Sequence, residues 1–164
     1  MFELHDKVFY GVIGVCEIVD IGNPPIKGIE GEYYFLQPVF DNKGIIYSPL
    51  KSTKQMMRKI ITKQEGKNLV ETAKNCIKDE RLSKTISTPE YDDIIKSQVP
   101  FDILHLIRYL YIVKSERAKD LRKMKSADSR ILIIARKLLY GELSIVLNRE
   151  YDDICSMMDE YLER

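Results

Sequence analysis

The sequence predicts an α+β chain. A small, strongly bent β-barrel or half-barrel over residues 1–60 precedes a compact domain of about five α-helices over residues 61–164. Short runs of β-formers, cut by Gly and Pro turns, fill the first sixty residues. From about residue 62 the apolar residues recur at helical spacing. No Gly/Pro/Ser-rich spacer separates the two patterns between Lys51 and Ile61, so the connection is expected to be short.

The first half reads strand by strand. Lys7-Val8-Phe9-Tyr10 is a short β-rich run, and Gly11 and Gly14 bracket a turn into Val15–Ile21. Gly22-Asn23-Pro24-Pro25 ends that strand, and a loop carrying Lys27, Gly28 and Gly31 follows. Glu32–Phe40 and Ile45–Pro49 flank the turn Asp41-Asn42-Lys43-Gly44, the pattern of a hairpin. Pro38 cannot donate to a ladder and predicts an edge or a bulge there.

The second half carries helix starts. Thr62-Lys63-Gln64-Glu65 is a capping-box sequence. Its helix should show Leu69, Val70, Ala73, Cys76 and Ile77 on one face. Thr88-Pro89-Glu90 predicts a second start, with Thr88 as cap and Pro89 first in the helix. Phe101, Leu104, Ile107 and Tyr111 belong to a third helix that runs into a basic stretch. Ser126 is the expected cap of a fourth, with Ile131, Ile134, Ala135, Leu138 and Leu139 inward. Tyr151, Ile154, Cys155, Met158 and Tyr161 mark a fifth. Tyr-Asp-Asp-Ile occurs at both Tyr91–Ile94 and Tyr151–Ile154, but nothing around it repeats.

Composition narrows the function classes. At 45 % hydrophobic and 31 % charged residues, the chain can build a core and is not membrane-embedded. No apolar run reaches the ~18 residues of a membrane span. The opening residues lack signal-peptide order, so a cytoplasmic protein is expected. Cys16, Cys76 and Cys155 form no C-x-x-C pair and read as reduced core residues. His5 and His105 lack spaced ligand partners, so no metal is expected. Gly11-Val12-Ile13-Gly14 leads into a strand, which argues against a dinucleotide site. Asp92-Asp93 and Asp152-Asp153 are helix neighbours about 100° apart, poor acid/base pairs. No nucleophile, phosphate-loop or metalloprotease motif occurs, and no enzyme activity, cofactor or small-molecule substrate is expected.

Two features point to interaction. A short-stranded barrel leaves edges that can accept a partner's strand, and Ile45–Pro49 is the candidate edge. Between Lys114 and Lys137, the basic residues Lys114, Arg117, Lys119, Arg122, Lys123, Lys125, Arg130, Arg136 and Lys137 outnumber the acidic Glu116, Asp120 and Asp128. Lys119, Arg122, Lys123 and Lys125 cluster near a helix end and loop, where they could reach phosphates or serve as a solvated face.

The runs Asp6–Ile21, Glu32–Asn42, Ile46–Pro49, Met57–Glu65 and Ala135–Leu143, in that order, resemble the CarD-type transcription regulators of bacteria. The resemblance implies a Tudor- or SH3-like first module that binds the β subunit of RNA polymerase, shared with transcription-repair coupling factor. It also implies a helical domain that meets promoter DNA near the melted bubble and modulates open-complex stability. Some members carry arginines in the first loop and late strand; here Pro24 and Tyr47 stand there, with Lys27 and Lys43 nearby. The polymerase-binding residues implied are Lys27, Lys43, Ile45, Ile46 and Tyr47. The DNA-binding residues implied are Arg81 and Lys84, with Lys119, Arg122, Lys123 and Lys125. Members carry a tryptophan between the first two helices; this chain has none, and Lys84–Ser87 falls at that position. An adaptor that binds polymerase or another protein without touching DNA is therefore the alternative reading.

Overall fold

A computed structural model of the chain describes residues 1–41, 44–51 and 56–164. It divides into two compact units, residues 1–60 and residues 61–164. The fold class is α+β: a curled five-stranded antiparallel sheet, then five helices.

In the first unit β1 (Lys7–Tyr10), β2 (Gly14–Gly22), β3 (Tyr33–Pro38), β4 (Ile46–Pro49) and β5 (Met57–Lys59) take the order β4-β3-β2-β1-β5. The β1–β2 turn forms as its glycines predict, with Gly11 at φ +45 and Gly14 at φ +91. In β3 the alternation is strict: Tyr34, Leu36 and Pro38 are buried, while Tyr33, Phe35 and Gln37 are half-buried. Tyr34 and Leu36 join Val8, Cys16 and Ile18 in the core. Burial pushes the Cys16 thiol up to about 11.

Two expectations shift here, and one holds in part. Pro38 ends β3 opposite Cys16 of β2 and lies beyond Leu36, the last β3 residue that pairs with β4, so among the described residues it has a strand on one side only. The irregularity lies in β2, where the register to β3 slips between Ile18 and Asp20. Residues 39–45 join β3 to β4, so the hairpin connection is longer than four residues, and Asn42 and Lys43 lie outside the described residues. The supposed link contains a strand: β5 pairs with β1, Phe9 opposite Arg58.

In the second unit α1 (Lys63–Lys74), α2 (Glu90–Ser97), α3 (Pro100–Lys119), α4 (Ser126–Val146) and α5 (Tyr151–Leu162) are joined by a 3₁₀ turn at Glu80–Ser83. The α1 capping box forms: Thr62 Oγ1 accepts from the Glu65 amide at 3.1 Å, and the Thr62 amide donates to Glu65 Oε2 at 2.7 Å. α1 stops at Lys74, so Cys76 and Ile77 lie beyond it; Cys76 is buried and Ile77 faces solvent.

Two expected caps move. The Ser87 amide and hydroxyl both donate to Glu90 Oε2, at 2.6 and 2.7 Å, so Glu90 opens α2 and Pro89 stands at the boundary. Those bonds hold the Glu90 carboxyl below its ordinary range. Thr88 contributes through its backbone instead, its carbonyl accepting from the Tyr91 amide at 3.2 Å. Ser126 is the first residue of α4, and the boundary falls on Lys125 without a side-chain cap.

α3 is the central helix and packs against each of the other four. Its Ile103, Leu104, Leu106, Ile107 and Leu110 are buried. Arg108 is buried too, donating to the carbonyls of Leu162 at 2.7 Å and Arg164 at 2.6 Å, which satisfies the end of α5.

Candidate docking edge and nucleic-acid interface

The sheet is open, and its two ends differ. β5 is three residues long and exposes Lys59, with the Arg58 guanidinium 4.2 Å from the Phe9 ring centroid. A short, charged strand of this kind discourages pairing. β4 pairs only with β3, Leu36 opposite Ile46 and Tyr33 opposite Pro49. Among the described residues no strand pairs with its other side. The Tyr47 ring meets Phe35 edge-to-face, centroids 4.9 Å apart, on the face away from the core. That places an aromatic pair beside an open edge, the combination that strand addition uses.

Ile45, Ile46 and Tyr47 therefore lie together along this edge. Ile45 is exposed just before β4, whereas Ile46 also packs against the core. Lys27 is exposed in the β2–β3 connection, which leaves the sheet where Gly22, Tyr33 and Pro49 meet, the opposite end of β4 from Ile45. Lys43 lies outside the described residues.

The six cations that the sequence singled out in the helical unit fall into two places. Arg81 is engaged: Asp79 takes its Nε at 3.0 Å and its terminal nitrogen at 2.7 Å, and its guanidinium stacks 4.5 Å from the Phe101 ring centroid. The Arg81 hydrogen bond holds the Asp79 carboxyl below the usual carboxylate range. Arg81 lines a largely apolar cleft with Leu69, Val99, Pro100 and Phe101. Lys84 lies elsewhere, its carbonyl bonded to His105 Nε2 at 2.8 Å.

Lys119, Arg122, Lys123 and Lys125 sit at the end of α3 and in the loop to α4, all exposed. Lys125 lines a second cleft of about 380 Å³ with Thr85, Thr88, Tyr91, Tyr109, Arg117 and Asp128. Thr85 follows Lys84 in the chain, so this cleft draws the Lys84 segment toward Lys125 while leaving Arg81 apart. Burial, then the nearby Asp128, raise the Tyr91 phenol to about 12.

One half-buried polar cluster is architectural. Asp159 on α5 accepts from Tyr111 on α3 at 2.7 Å, from Tyr140 on α4 at 2.8 Å and from Arg136 Nε at 3.2 Å. Burial, aided by Asp159, raises both phenols above their ordinary value, which suits donors held neutral rather than nucleophiles. Among the described residues no group of three His, Cys, Asp or Glu could hold a metal ion. Likewise, no helix is long and apolar enough to cross a membrane.

Residues 2–61 match the family described as CarD-like/TRCF RID domain. The first unit is a CarD-like domain. This family is an RNA-polymerase-interacting module, which ties the chain to transcription. The CarD-like match ends at residue 61, where the sheet unit gives way to the helical unit. A search of curated proteins finds no match for the chain.

Within the basic stretch, one contact depends on the fold rather than on residue type. Arg117 Nε donates to the Lys123 carbonyl at 2.7 Å and ties the basic loop to α3. The basic count signalled Arg117, but only the fold shows that it shapes the loop. Leu121 breaks the basic run with an apolar side chain and is 96 % exposed.

Proposed function

We propose that this chain is a transcription regulator that docks on the β subunit of RNA polymerase through the β4 edge of its CarD-like domain. Ile45, Ile46 and Tyr47 form the contact, with Lys27 and Lys43 flanking it. The observation that carries the reading is the open β4 edge with its Phe35–Tyr47 pair, inside a module of a polymerase-interacting family. Main-chain bonds from an added strand would supply affinity, and the aromatic pair would set register. The helical unit contacts promoter DNA through Lys84, Lys119, Arg122, Lys123 and Lys125, with Arg81 contributing from its separate cleft. A regulator holding both partners shifts the closed-to-open balance by its differential affinity for the two states. It acts in the bacterial cytoplasm and needs no cofactor.

The test is co-purification of the tagged full chain with RNA polymerase, and with an isolated β-subunit fragment, at low and moderate salt. Retention by both is expected, with Tyr47→Lys losing both. Absence of polymerase at low salt contradicts the reading.

A second reading is an adaptor that docks on polymerase without touching DNA. Arg81 is already held by Asp79, and Lys119 and Arg122 have acidic neighbours in Glu116 and Asp120. Charge reversal of Lys119, Arg122 and Lys123 leaves the adaptor's activity unchanged and weakens the DNA-contacting regulator.

A further inference from the structure

We infer that the cleft between the Thr85–Thr88 segment, α3 and the start of α4 binds a free nucleoside monophosphate. Such a site stands whether or not the helical unit meets DNA.

One stripe of α3 forms the cleft floor. Tyr109, Ile112, Val113 and Arg117 recur at helical spacing and all line it. All four are half-buried, whereas Leu106, Ile107 and Leu110 of the same helix are fully buried in the core. A partly exposed apolar floor rimmed by a few polar groups is the usual make-up of a small-molecule site. The volume of about 380 Å³ lies within the range of such sites, about 300–1,000 Å³.

The two ends of the stripe differ in chemistry. His105, one turn before Tyr109, holds the Lys84 carbonyl at 2.8 Å and so brings the Thr85 and Thr88 hydroxyls to the Tyr109 end. Arg117 stands eight residues further on, about 12 Å along the helix. There its Nε donates to the Lys123 carbonyl at 2.7 Å, which draws Lys125 alongside. Among the described residues, the terminal nitrogens of Arg117 and the Lys125 ammonium make no hydrogen bond or ion pair.

Those ends match the two ends of a mononucleotide. A guanidinium fork beside an ammonium suits a phosphate dianion. α4 also begins at this end without a side-chain cap, and first-turn amides favour the same charge. At the other end the Tyr109 ring offers a stacking surface for a base, and threonine hydroxyls can both donate to and accept from a base edge. Ile112 and Val113 underlie the sugar between them. The two acids of the lining are engaged: Glu116 takes Lys119 at 2.9 Å, and Asp128 sits beside the Tyr91 phenol and helps to hold it protonated.

The test is isothermal titration of the full chain with the 5′-monophosphates of adenosine, guanosine, cytidine and uridine. Inorganic phosphate, adenosine and a short single-stranded DNA are the comparisons. At least one nucleotide should bind with a Kd of about 100 μM or tighter. Phosphate and adenosine each fill one end and should bind at least about tenfold more weakly. Lys125→Glu and Tyr109→Leu should each weaken the nucleotide by about tenfold. Lys137→Glu removes an exposed α4 cation outside the cleft and should leave its affinity unchanged. Amide NMR shifts of the unaltered chain should concentrate at residues 85–91, 109–117 and 125–128, which decides the matter even where a variant does not fold. No nucleotide binding at millimolar concentration overturns the site, as do shifts centred elsewhere. Phosphate binding as tightly as the nucleotides, or an equal loss in Lys137→Glu, reduces it to general charge attraction and overturns it too. Tighter binding of the single-stranded DNA at the same residues gives the cleft to nucleic acid and overturns a free nucleotide as its occupant.

Discussion

The Tyr140 hydroxyl, on a side chain with no solvent exposure, donates to the Asp159 carboxylate at 2.8 Å. The same oxygen takes the Tyr111 hydroxyl, and Arg136 grips the carboxylate from the side. One acceptor thus ties α3, α4 and α5 together. Asp159→Ala strands two phenols and a guanidinium, so it should lower unfolding free energy by about 3 kcal/mol. Asp159→Asn keeps an acceptor and should lose less. Urea unfolding of the three proteins at neutral pH measures this.

The same cluster sets a pH dependence. Burial first, and then Asp159, raise the Tyr140 and Tyr111 phenols in the folded chain. The unfolded phenol titrates near about 10. As pH rises through that value the unfolded state releases protons first, while the folded state retains them. The contribution is therefore complete below about pH 10 and is lost progressively above it. Tyr91, raised to about 12 by burial and Asp128, acts in the same direction. Melting temperature should fall steeply on the alkaline side, and Tyr140→Phe should shallow that fall.

Gly66 of α1 touches α4 closely. A Cβ added there would lie 2.8 Å from Val146 Cγ2, the methyl of a stiff side chain. Alanine in a helix interior gains about 1 kcal/mol over glycine. Overpacking of this kind costs about 1–3 kcal/mol. Gly66→Ala should therefore be destabilising on balance, by about 1 kcal/mol, despite its better helix propensity. Equilibrium denaturation gives the sign directly.

Phosphate contact by Lys123 and Lys125 has a thermodynamic signature. Each phosphate neutralised steepens the dependence of log affinity on log salt by about 0.9 for duplex DNA. Lys123→Glu with Lys125→Glu should flatten the slope of DNA binding by about two and weaken binding across unrelated sequences alike. Fluorescence anisotropy over a salt series checks this. An unchanged slope favours the adaptor reading.

The local signals read true where local chemistry decides. The Gly11–Gly14 turn and the Thr62–Glu65 capping box need only neighbouring residues, and both form. β5 escaped because Met57-Arg58-Lys59 shows no apolar alternation; it is a strand only because β1 offers an edge some fifty residues earlier. The α2 start moved because Glu90 had two donors on Ser87 to choose over Thr88. The edge at Ile46–Tyr47 was legible as a hairpin arm, but its aromatic partner Phe35 required the register. Asp159 was invisible as a hub, since its partners come from two other helices and lie 19 to 48 residues away.

Amide hydrogen exchange of the full chain, with and without RNA polymerase, tests docking on the sheet edge most directly. Docking through β4 predicts that the Ile46–Ser48 amides exchange at least about tenfold more slowly in the complex, while β5 amides keep their rates. Unchanged exchange across Ile46–Ser48 at saturating polymerase, or protection confined to Met57–Lys59, would contradict it.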